Sequence, residues 1–571
     1  MLWKVMVFVR KCIGARVHRC AWGQVVKDVL LCALSAVLLA LSFPNFDIEI
    51  LSWFGFIPLF FVLKNKPLLK SFFLAYFTGL IFWFGTIYWL IHVTLAGLII
   101  LVFYLSLYFA VFGLIFSLFT RYAIRNAQYH SPIYFLFLPA AWVILEYARS
   151  YIFTGFPWIP LGYSQYMSLP VIQIADITGV WGVSFLVMLA NTTVYSIADS
   201  RLSVHGSRCA AHSVIKGIAI PIVILGLSFS YGYYRLNQYR GSENSLPETG
   251  HRAAREISIS SPSREVRTTG SKLRISVIQG NIPQEMKWDK LSGEHIIDTY
   301  MGLTSDALLE SPDLVIWPEA AFPFVLKREN SYSPFPILVE KFEKPLLAGA
   351  VISDRLQYYN GVLMISGKGR VVNSYRKIHL VPFGEYIPLR GILGFLETVV
   401  PIGDFIPGTE HTVFELSRDS GGGVRFGVLI CFEDAFPLLS CRLKRGGADF
   451  LVNMTNDAWF RKTSSPYQHL SASVFRAVEN RVPVVRAANT GVSGFIAPTG
   501  GIISLVQDKQ GERVFIGGIK TGTITLDKRQ LSFYARYGDV FVVFCGIFLI
   551  LGIFVCRTEV VLKEKKWSLT G

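Results

Sequence analysis

The sequence predicts two architectures in one chain: a multi-pass α-helical membrane domain of about eight helices, and a layered α/β domain inserted before the last of them. Three observations predict this. The 571 residues are 52% hydrophobic and only 16% charged, with a mean hydropathy of +0.44, whereas a soluble protein carries roughly a quarter charged residues. Apolar stretches recur over 28–43, 51–63, 70–92, 94–120, 132–149, 180–198, 214–232 and 538–556. Between the seventh and eighth of these, short β-branched runs alternate with helical patterns.

Each apolar stretch is a span candidate because a membrane crossing takes about 20 apolar residues. The stretch at 51–63 falls short and could be re-entrant. Charge placement argues that it spans. Lys4, Arg10, Lys11, Arg16, Arg19 and Lys27 precede the first stretch; Lys64, Lys66 and Lys70 follow the second. Arg121 and Arg125 follow the fourth, Arg201, Arg208 and Lys216 the sixth, and Arg557, Lys563, Lys565 and Lys566 the last. Basic residues on every second loop form the positive-inside pattern. It predicts eight helices with both termini in the cytoplasm and the α/β block facing outward. These anchors account for the net charge of +16. With no recognition motif in view, nucleic-acid binding is not expected, and attraction to anionic headgroups fits better. The basic leader runs into a full-length span, so no cleavable signal peptide is expected.

Residues 240–271 are rich in Ser, Arg and Glu without periodicity and read as a mobile linker. From Leu273 the runs RISVIQG, DLVIWP, PLLAGAV, GVLMIS, VRFGVLIC and DFLVNM read as strands, with helical patterns over 291–310 and 465–480. The expected boundaries are a basic tail over 1–27, a seven-helix membrane domain over 28–239, the linker over 240–271, the α/β domain over 272–535, the eighth helix over 536–557 and a tail over 558–571. Eight cysteines are scattered with no C-x-x-C spacing, so neither zinc nor a disulfide framework is indicated. Cys431 and Cys441 alone belong to the outer block; pairing is the plain alternative for them in an oxidising compartment. The glycine clusters at 367–369 and 421–423 read as hairpin turns, because no Gly-Lys-Ser/Thr follows. No His-Glu-x-x-His occurs, and neither a metal nor another cofactor is expected.

Three polar groups stand beside apolar β-type runs. Cys431 ends VLIC before Phe432-Glu433-Asp434, which suits a strand-to-helix elbow that exposes sulfur and offers a backbone N–H to an oxyanion. A helix start and a nearby amine would lower the thiol's pKa. Taken alone, a cysteine after an apolar run is more often a core residue. Glu319 follows Trp-Pro, where proline stops the ladder and lifts the carboxylate out of the sheet; a solvated loop glutamate is the alternative. Lys377 stands with Arg376 and His379 in a strand-like run, where an exposed charged face is ordinary. A carboxylate, an amine and a thiol together can make a base-activated nucleophile with its own charge stabiliser.

Glu319 in WPE, Lys377 in RKIHLVPFGEY and Cys431 in CFE resemble the Glu-Lys-Cys triad of the nitrilase, or carbon–nitrogen hydrolase, superfamily. The flanks QGNIPQ before Trp288, VPFGEY after Lys377 and NDAWF from Asn456 are similar to the apolipoprotein N-acyltransferase family, as is the order of helices, catalytic domain and last helix. The resemblance implies an αββα sandwich for the α/β block. It implies Cys431 as acyl-accepting nucleophile, Glu319 as general base and Lys377 as a cation near the oxyanion. Glu385 matches a second essential glutamate, and Trp288 a tryptophan in an arm over the site. Phe432 stands where the family has tyrosine, which leaves its backbone N–H available. Phe383, Tyr386, Glu433, Asn456 and Trp459 are further candidates for the site or its wall.

The implied reaction takes an acyl chain from a phospholipid such as phosphatidylethanolamine. It passes the chain through a Cys431 thioester to the α-amine of an S-diacylglyceryl apolipoprotein, at the outer face of a bacterial inner membrane. Both substrates are membrane-anchored, which fits helices that hold the domain at the bilayer surface. The alternatives are a tethered amide or nitrile hydrolase with the same triad, and a non-catalytic membrane scaffold. The aromatic run at 152–160 reads as an interfacial belt, with substrate contact as the alternative.

Overall fold

Apolar helices fill the first part of the chain and β-branched runs the second, and the computed structural model follows that division. It describes residues 21–125, 132–202, 208–240, 271–287, 289, 291–328, 342–382, 384–387, 405–417, 422–527 and 530–554. The tails, the body of the linker, Trp288 and Phe383 lie outside these residues. The chain divides into two units. One comprises 1–164, 181–227 and 540–571, the other 165–180 and 228–539.

The first unit is helical. Its helices are α1 (Ala21–Ala40), α2 (Ile57–Leu63), α3 (Leu68–Ile87), α4 (Leu95–Arg125), α5 (Pro132–Tyr151) and α6 (Val180–Leu202), with most of α7 (Arg208–Arg240). Among the described residues, five segments are long and apolar enough to cross a membrane: Trp22–Ala40, Leu68–His92, Leu95–Ala123, Val180–Asp199 and Gly217–Tyr239. The short second stretch folds as one 3₁₀ turn and the seven-residue α2, about 10 Å long. Its core is aromatic: Phe56 packs edge-on to Trp142 at 4.7 Å and stacks on Phe109 at 6.0 Å. Lys64 pairs with Asp199, and Lys66 with Asp28.

In the aromatic run, Arg149 donates to the carbonyls of Phe156 and Trp158 at 2.7 and 2.8 Å, and Glu146 accepts from Leu161 N–H at 2.6 Å. The run therefore splits. Trp158 is held in the core, while Phe153 is 83% exposed.

In the second unit, two sheets face each other. The first has the order β13-β1-β2-β4-β5-β6, with β3 on β4. Its strands are β1 (Ser271–Gln279), β2 (Leu314–Ile316), β3 (Val325–Lys327), β4 (Leu346–Asp354), β5 (Gln357–Ile365), β6 (Val371–Arg376) and β13 (Gly518–Leu526). The second runs β12-β11-β10-β9-β8-β7, built from β7 (Val413–Ser417), β8 (Gly423–Ile430), β9 (Phe450–Thr455), β10 (Val484–Ala488), β11 (Gly494–Ile496) and β12 (Ile502–Leu505). In each sheet a parallel trio, β1-β2-β4 or β8-β9-β10, is flanked by antiparallel strands.

Inward residues such as Val277, Ile316, Leu347, Phe426, Val452 and Val485 form the shared core. Helix α8 (Gly293–Leu308) covers the outer face of the first sheet through Ile296 and Tyr300. Helices α9 (Pro437–Arg445) and α10 (Ser465–Asn480) belong to the second sheet's side. Both faces of β9 and β10 are buried, as parallel strands beneath helices require. The result is the expected αββα sandwich. In open α/β sheets the chemistry collects beyond the carboxyl ends of the strands. Here β2 ends before Glu319, β6 before Lys377 and β8 before Cys431.

Candidate active site

Glu319 leaves β2 through Trp317-Pro318, and the next residue, Ala320, adopts φ 46°. The turn presses against β4 at Gly349. A Cβ there would stand 2.4 Å from Pro318 O and 2.7 Å from Glu319 Cα, so only glycine fits. Glu319 is 7% exposed. Its Oε1 accepts from Asn360 Nδ2 at 2.7 Å and its Oε2 from Asn456 N–H at 2.8 Å.

Lys377 is 1% exposed. Its Nζ meets Glu385 at 2.9 Å and Glu319 at 3.5 Å. Burial alone would depress the ammonium. The carboxylates of Glu385 and Glu319 outweigh burial and hold the pKa above its ordinary value, so Lys377 stays charged. Asn360 Nδ2 bridges both carboxylates, donating to Glu385 Oε1 at 2.6 Å. Val381 N–H donates to Glu385 Oε2 at 2.7 Å.

Cys431 opens a 3₁₀ turn with φ 50°, the left-handed strain expected of a nucleophile elbow. It is a free, half-buried cysteine, and Cys441 is also free and fully buried, so the two are not paired. The expected lowering of the Cys431 pKa does not occur. Burial pushes the thiol well above its usual range and Glu319 adds to that, while Lys377 pulls the other way. The resting group is a thiol, and a base must remove its proton. Glu319, held by two donors and 3.5 Å from the Lys377 ammonium, is the carboxylate in this cluster.

Glu433 ties the two sheets together at this point. It accepts from Ile430 N–H at 2.7 Å, Ile378 N–H at 2.7 Å, His379 N–H at 3.1 Å and Tyr375 OH at 2.8 Å. Burial nonetheless raises its pKa to about 7. Asn456 Nδ2 donates to Gln284 Oε1 at 2.8 Å, which links Glu319's backbone donor to the segment leading to Trp288. Phe432 is buried edge-on against Phe436 at 5.2 Å. Tyr386 is half-buried and bridges Pro382, and Trp459 is 43% exposed.

Three site residues went unread in the sequence. Asn360 is one. Lys287 is the second: buried, its Nζ donates to the carbonyls of Glu319 and Ala320 at 3.2 and 3.0 Å, and burial lowers its pKa to about 8. His469 on α10 is the third. Its Nδ1 lies 3.0 Å from Asp457 Oδ1, and its Nε2 lies 3.0 Å from Asp434 Oδ1 and 3.1 Å from Cys431 O. These three partners are acceptors, so both ring nitrogens donate and the ring is an imidazolium. Burial and Arg486 oppose that charge, but the two aspartates prevail and raise the pKa to about 9. Arg486 closes the network on the far oxygens of Asp434 and Asp457, at 3.4 and 3.3 Å. A trans peptide points its C=O and N–H in opposite directions. Holding the Cys431 carbonyl on the imidazolium side therefore turns the Phe432 N–H away from it.

Among the described residues no group of three or more His, Cys, Asp or Glu side chains has metal-holding geometry.

Two family models match separate parts of the chain. Residues 35–193 match the apolipoprotein N-acyltransferase N-terminal domain, and residues 274–529 match carbon-nitrogen hydrolase. The chain is 38% identical over 540 residues to an apolipoprotein N-acyltransferase of Geobacter metallireducens, covering 91% of this chain and 93% of that one. It is 30% identical to apolipoprotein N-acyltransferase 1 of Treponema denticola (93% and 98% covered) and 28% identical to the enzyme of that name in Rickettsia prowazekii (92% and 97% covered). Helical unit and α/β unit are thus matched together, in order and nearly end to end, and the chain belongs to the apolipoprotein N-acyltransferase family.

Proposed function

We propose that this protein transfers an acyl chain from a membrane phospholipid to the N-terminal amine of S-diacylglyceryl apolipoproteins, through a thioester on Cys431. The observation that carries the site assignment is the pairing of a raised Cys431 thiol with a two-donor carboxylate, Glu319, beside the obligate cation Lys377. Glu319 takes the Sγ proton, and the thiolate attacks the donor ester carbonyl. Lys377 Nζ and the Phe432 N–H meet the oxyanion. The C–O bond breaks, the lysophospholipid oxygen takes the proton from Glu319, and the thioester remains. The apolipoprotein amine then attacks, loses its proton to Glu319, and displaces the Cys431 thiolate, which recovers that proton. Two transfers through one nucleophile give ping-pong kinetics. Glu385 acts through Lys377, fixing the ammonium. Trp288 and Phe383 are proposed as parts of the arm and wall over the site.

The alternating basic loops support an inner-membrane orientation with this domain outside. The test incubates membranes with acyl-labelled phospholipid and follows hydroxylamine-sensitive label on the protein. Wild type forms the labelled thioester and passes it to a diacylglyceryl-cysteine peptide, whereas Cys431→Ala forms none. Label independent of Cys431 overturns the assignment. A Cys431 thioester that only water resolves makes the protein a hydrolase.

A further inference from the structure

A cavity of about 430 Å³ opens in the second unit among Asp176, Tyr231, Arg235, Arg481, Gln530 and Phe533. Its charges do not balance. Asp176 Oδ2 accepts from Arg481 Nη2 at 2.8 Å and from Arg235 Nη2 at 2.9 Å, and Tyr231 OH donates to the same carboxylate at 2.8 Å. Two guanidiniums thus share one carboxylate, and the lining carries one positive charge in excess.

The two arginines differ. Arg481 is 2% exposed in its side chain and spends its donors within the fold, on Asp176, Gln173 and Pro498 O. Arg235 donates to Asp176 and to Gln238 Oε1 at 2.8 Å, and its buried Nε has no partner. The Arg235 side chain is 22% exposed and shares its one carboxylate with Arg481, so an uncompensated positive charge is open to an oxyanion in the cavity.

The setting narrows that anion. Arg235 and Tyr231 lie on the last turns of α7, whose apolar segment is Gly217–Tyr239. Tyr231, Tyr233, Tyr234, Arg235 and Tyr239 crowd those turns, the composition of a helix leaving the hydrocarbon for the headgroup layer. Leu531 and Phe533 add an apolar wall beside the cation. Arg481 stands one residue past α10, twelve residues from His469, so the cavity is roughly 18 Å from the nucleophile's network along that helix.

We infer that this cavity is a second lipid site, which binds the phosphodiester headgroup of a membrane phospholipid on Arg235 and is separate from the reacting centre. The inference does not require that the reacting acyl donor bind here. Full-length protein in detergent is titrated with dioleoylphosphatidylglycerol and, separately, with dioleoylglycerol, and retained lipid is counted by native mass spectrometry. Wild type retains the phospholipid and not the neutral diacylglycerol. Arg235→Gln lowers retention about tenfold, the worth of one charge-assisted hydrogen bond, and Arg235→Lys restores most of it. Displacement by inorganic phosphate supports recognition of the phosphate group itself; retention that phosphate does not disturb supports the intact headgroup. Equal retention by wild type and Arg235→Gln, equal retention of the two lipids, or no retention by wild type overturns the inference. Cys431-dependent labelling, measured on the same samples, stays within twofold in Arg235→Gln. Its absence in wild type counts against the transferase reading and leaves this one standing.

Discussion

On the first sheet, Glu319, Glu385 and Lys377 surround Asn360 with two carboxylates against one ammonium. On the second, Asp434 and Asp457 are matched by the His469 imidazolium and Arg486 beneath Cys431. Among the side chains that meet at Asn360 the carboxylates outnumber the ammonium, Lys287 reaching only the backbone carbonyls at their margin, whereas the second set pairs two carboxylates with two cations. On the proposed function, the first cluster keeps a carboxylate to accept a proton and a cation to meet the oxyanion. A balanced, fully buried one has nothing left to exchange and serves to hold geometry. Substitutions in the first half should therefore reduce chemistry more than stability, and substitutions in the second should do the reverse.

The largest effect is expected from Glu319→Gln. It keeps the shape and the Asn360 contact but turns an amide NH2 toward the Asn456 N–H and removes the proton acceptor, so thioester formation falls on the order of 10²- to 10⁴-fold. The melting temperature falls less than in the His469→Gln variant. A Glu319→Gln enzyme that acylates Cys431 at an undiminished rate would show that the first half is structural.

His469→Gln is the mirror experiment. It removes a buried cation between two aspartates, a class of change that costs about 3–5 kcal/mol. The melting temperature should fall by many degrees, and the rate per folded molecule should fall less than in Glu319→Gln. A large rate loss at unchanged stability would reverse the comparison.

The same ring sets a pH dependence. The folded pKa of His469 is raised from 6.5 to about 9, so the folded state holds a proton that the unfolded state releases. The stabilisation is complete below pH 6.5 and is lost as pH rises through 9, on the order of 3 kcal/mol in all. Denaturant melts across that window should show falling stability in wild type. The His469→Gln protein should lack this descending component.

A smaller loss is expected at the seam of the first half. Asn360→Ala withdraws one hydrogen bond from each of two buried carboxylates, leaving Lys377 and one backbone N–H apiece, from Asn456 and Val381, to hold them. At about 1.5 kcal/mol for a bond to a charged group, the rate of Cys431 acylation should drop roughly 10- to 100-fold. Asn360→Asp should be worse, because it adds a third negative charge. An Asn360→Asp protein more active than Asn360→Ala would mean that the cluster is not held negative.

This division explains what the sequence made legible. Glu319, Lys377 and Cys431 each follow a β-run beside distinctive flanking residues, so their order and flanks together made them candidates. Asn360 is one polar residue inside Tyr-Tyr-Asn-Gly-Val and owes its role to carboxylates 41 and 25 residues away. His469 lies on α10, nearly every residue of which is buried; a charged residue on a helix with no wet face was the signal available. The thiol pKa was misjudged because a helix start and a lysine can be read locally, whereas burial cannot. The layered α/β character followed from alternating runs, and the αββα order from the family resemblance. The stretch at 51–63 divided into a 3₁₀ turn and α2, a break its uniformly apolar composition does not reveal.

Lys287 sharpens the comparison at its margin, where the smallest effect is expected. It belongs to the first half by position, yet its amine touches only the carbonyls of Glu319 and Ala320, and it precedes Trp288 in the chain. Lys287→Met should cost about 1–2 kcal/mol for two lost bonds to carbonyls. It should raise KM for the acyl donor more than it lowers kcat, since it frees the arm rather than the base. Its titration runs opposite to that of His469. A folded pKa lowered from 10.5 to about 8 means that burial penalises the ammonium below pH 8, and the penalty lifts as pH rises toward 10.5. Wild type should therefore recover some stability above pH 9, after the His469 term has been spent, and Lys287→Met should not. If Lys287→Met instead lowers kcat as deeply as Glu319→Gln, the amine belongs to the reacting groups and the boundary drawn between the two halves is in the wrong place.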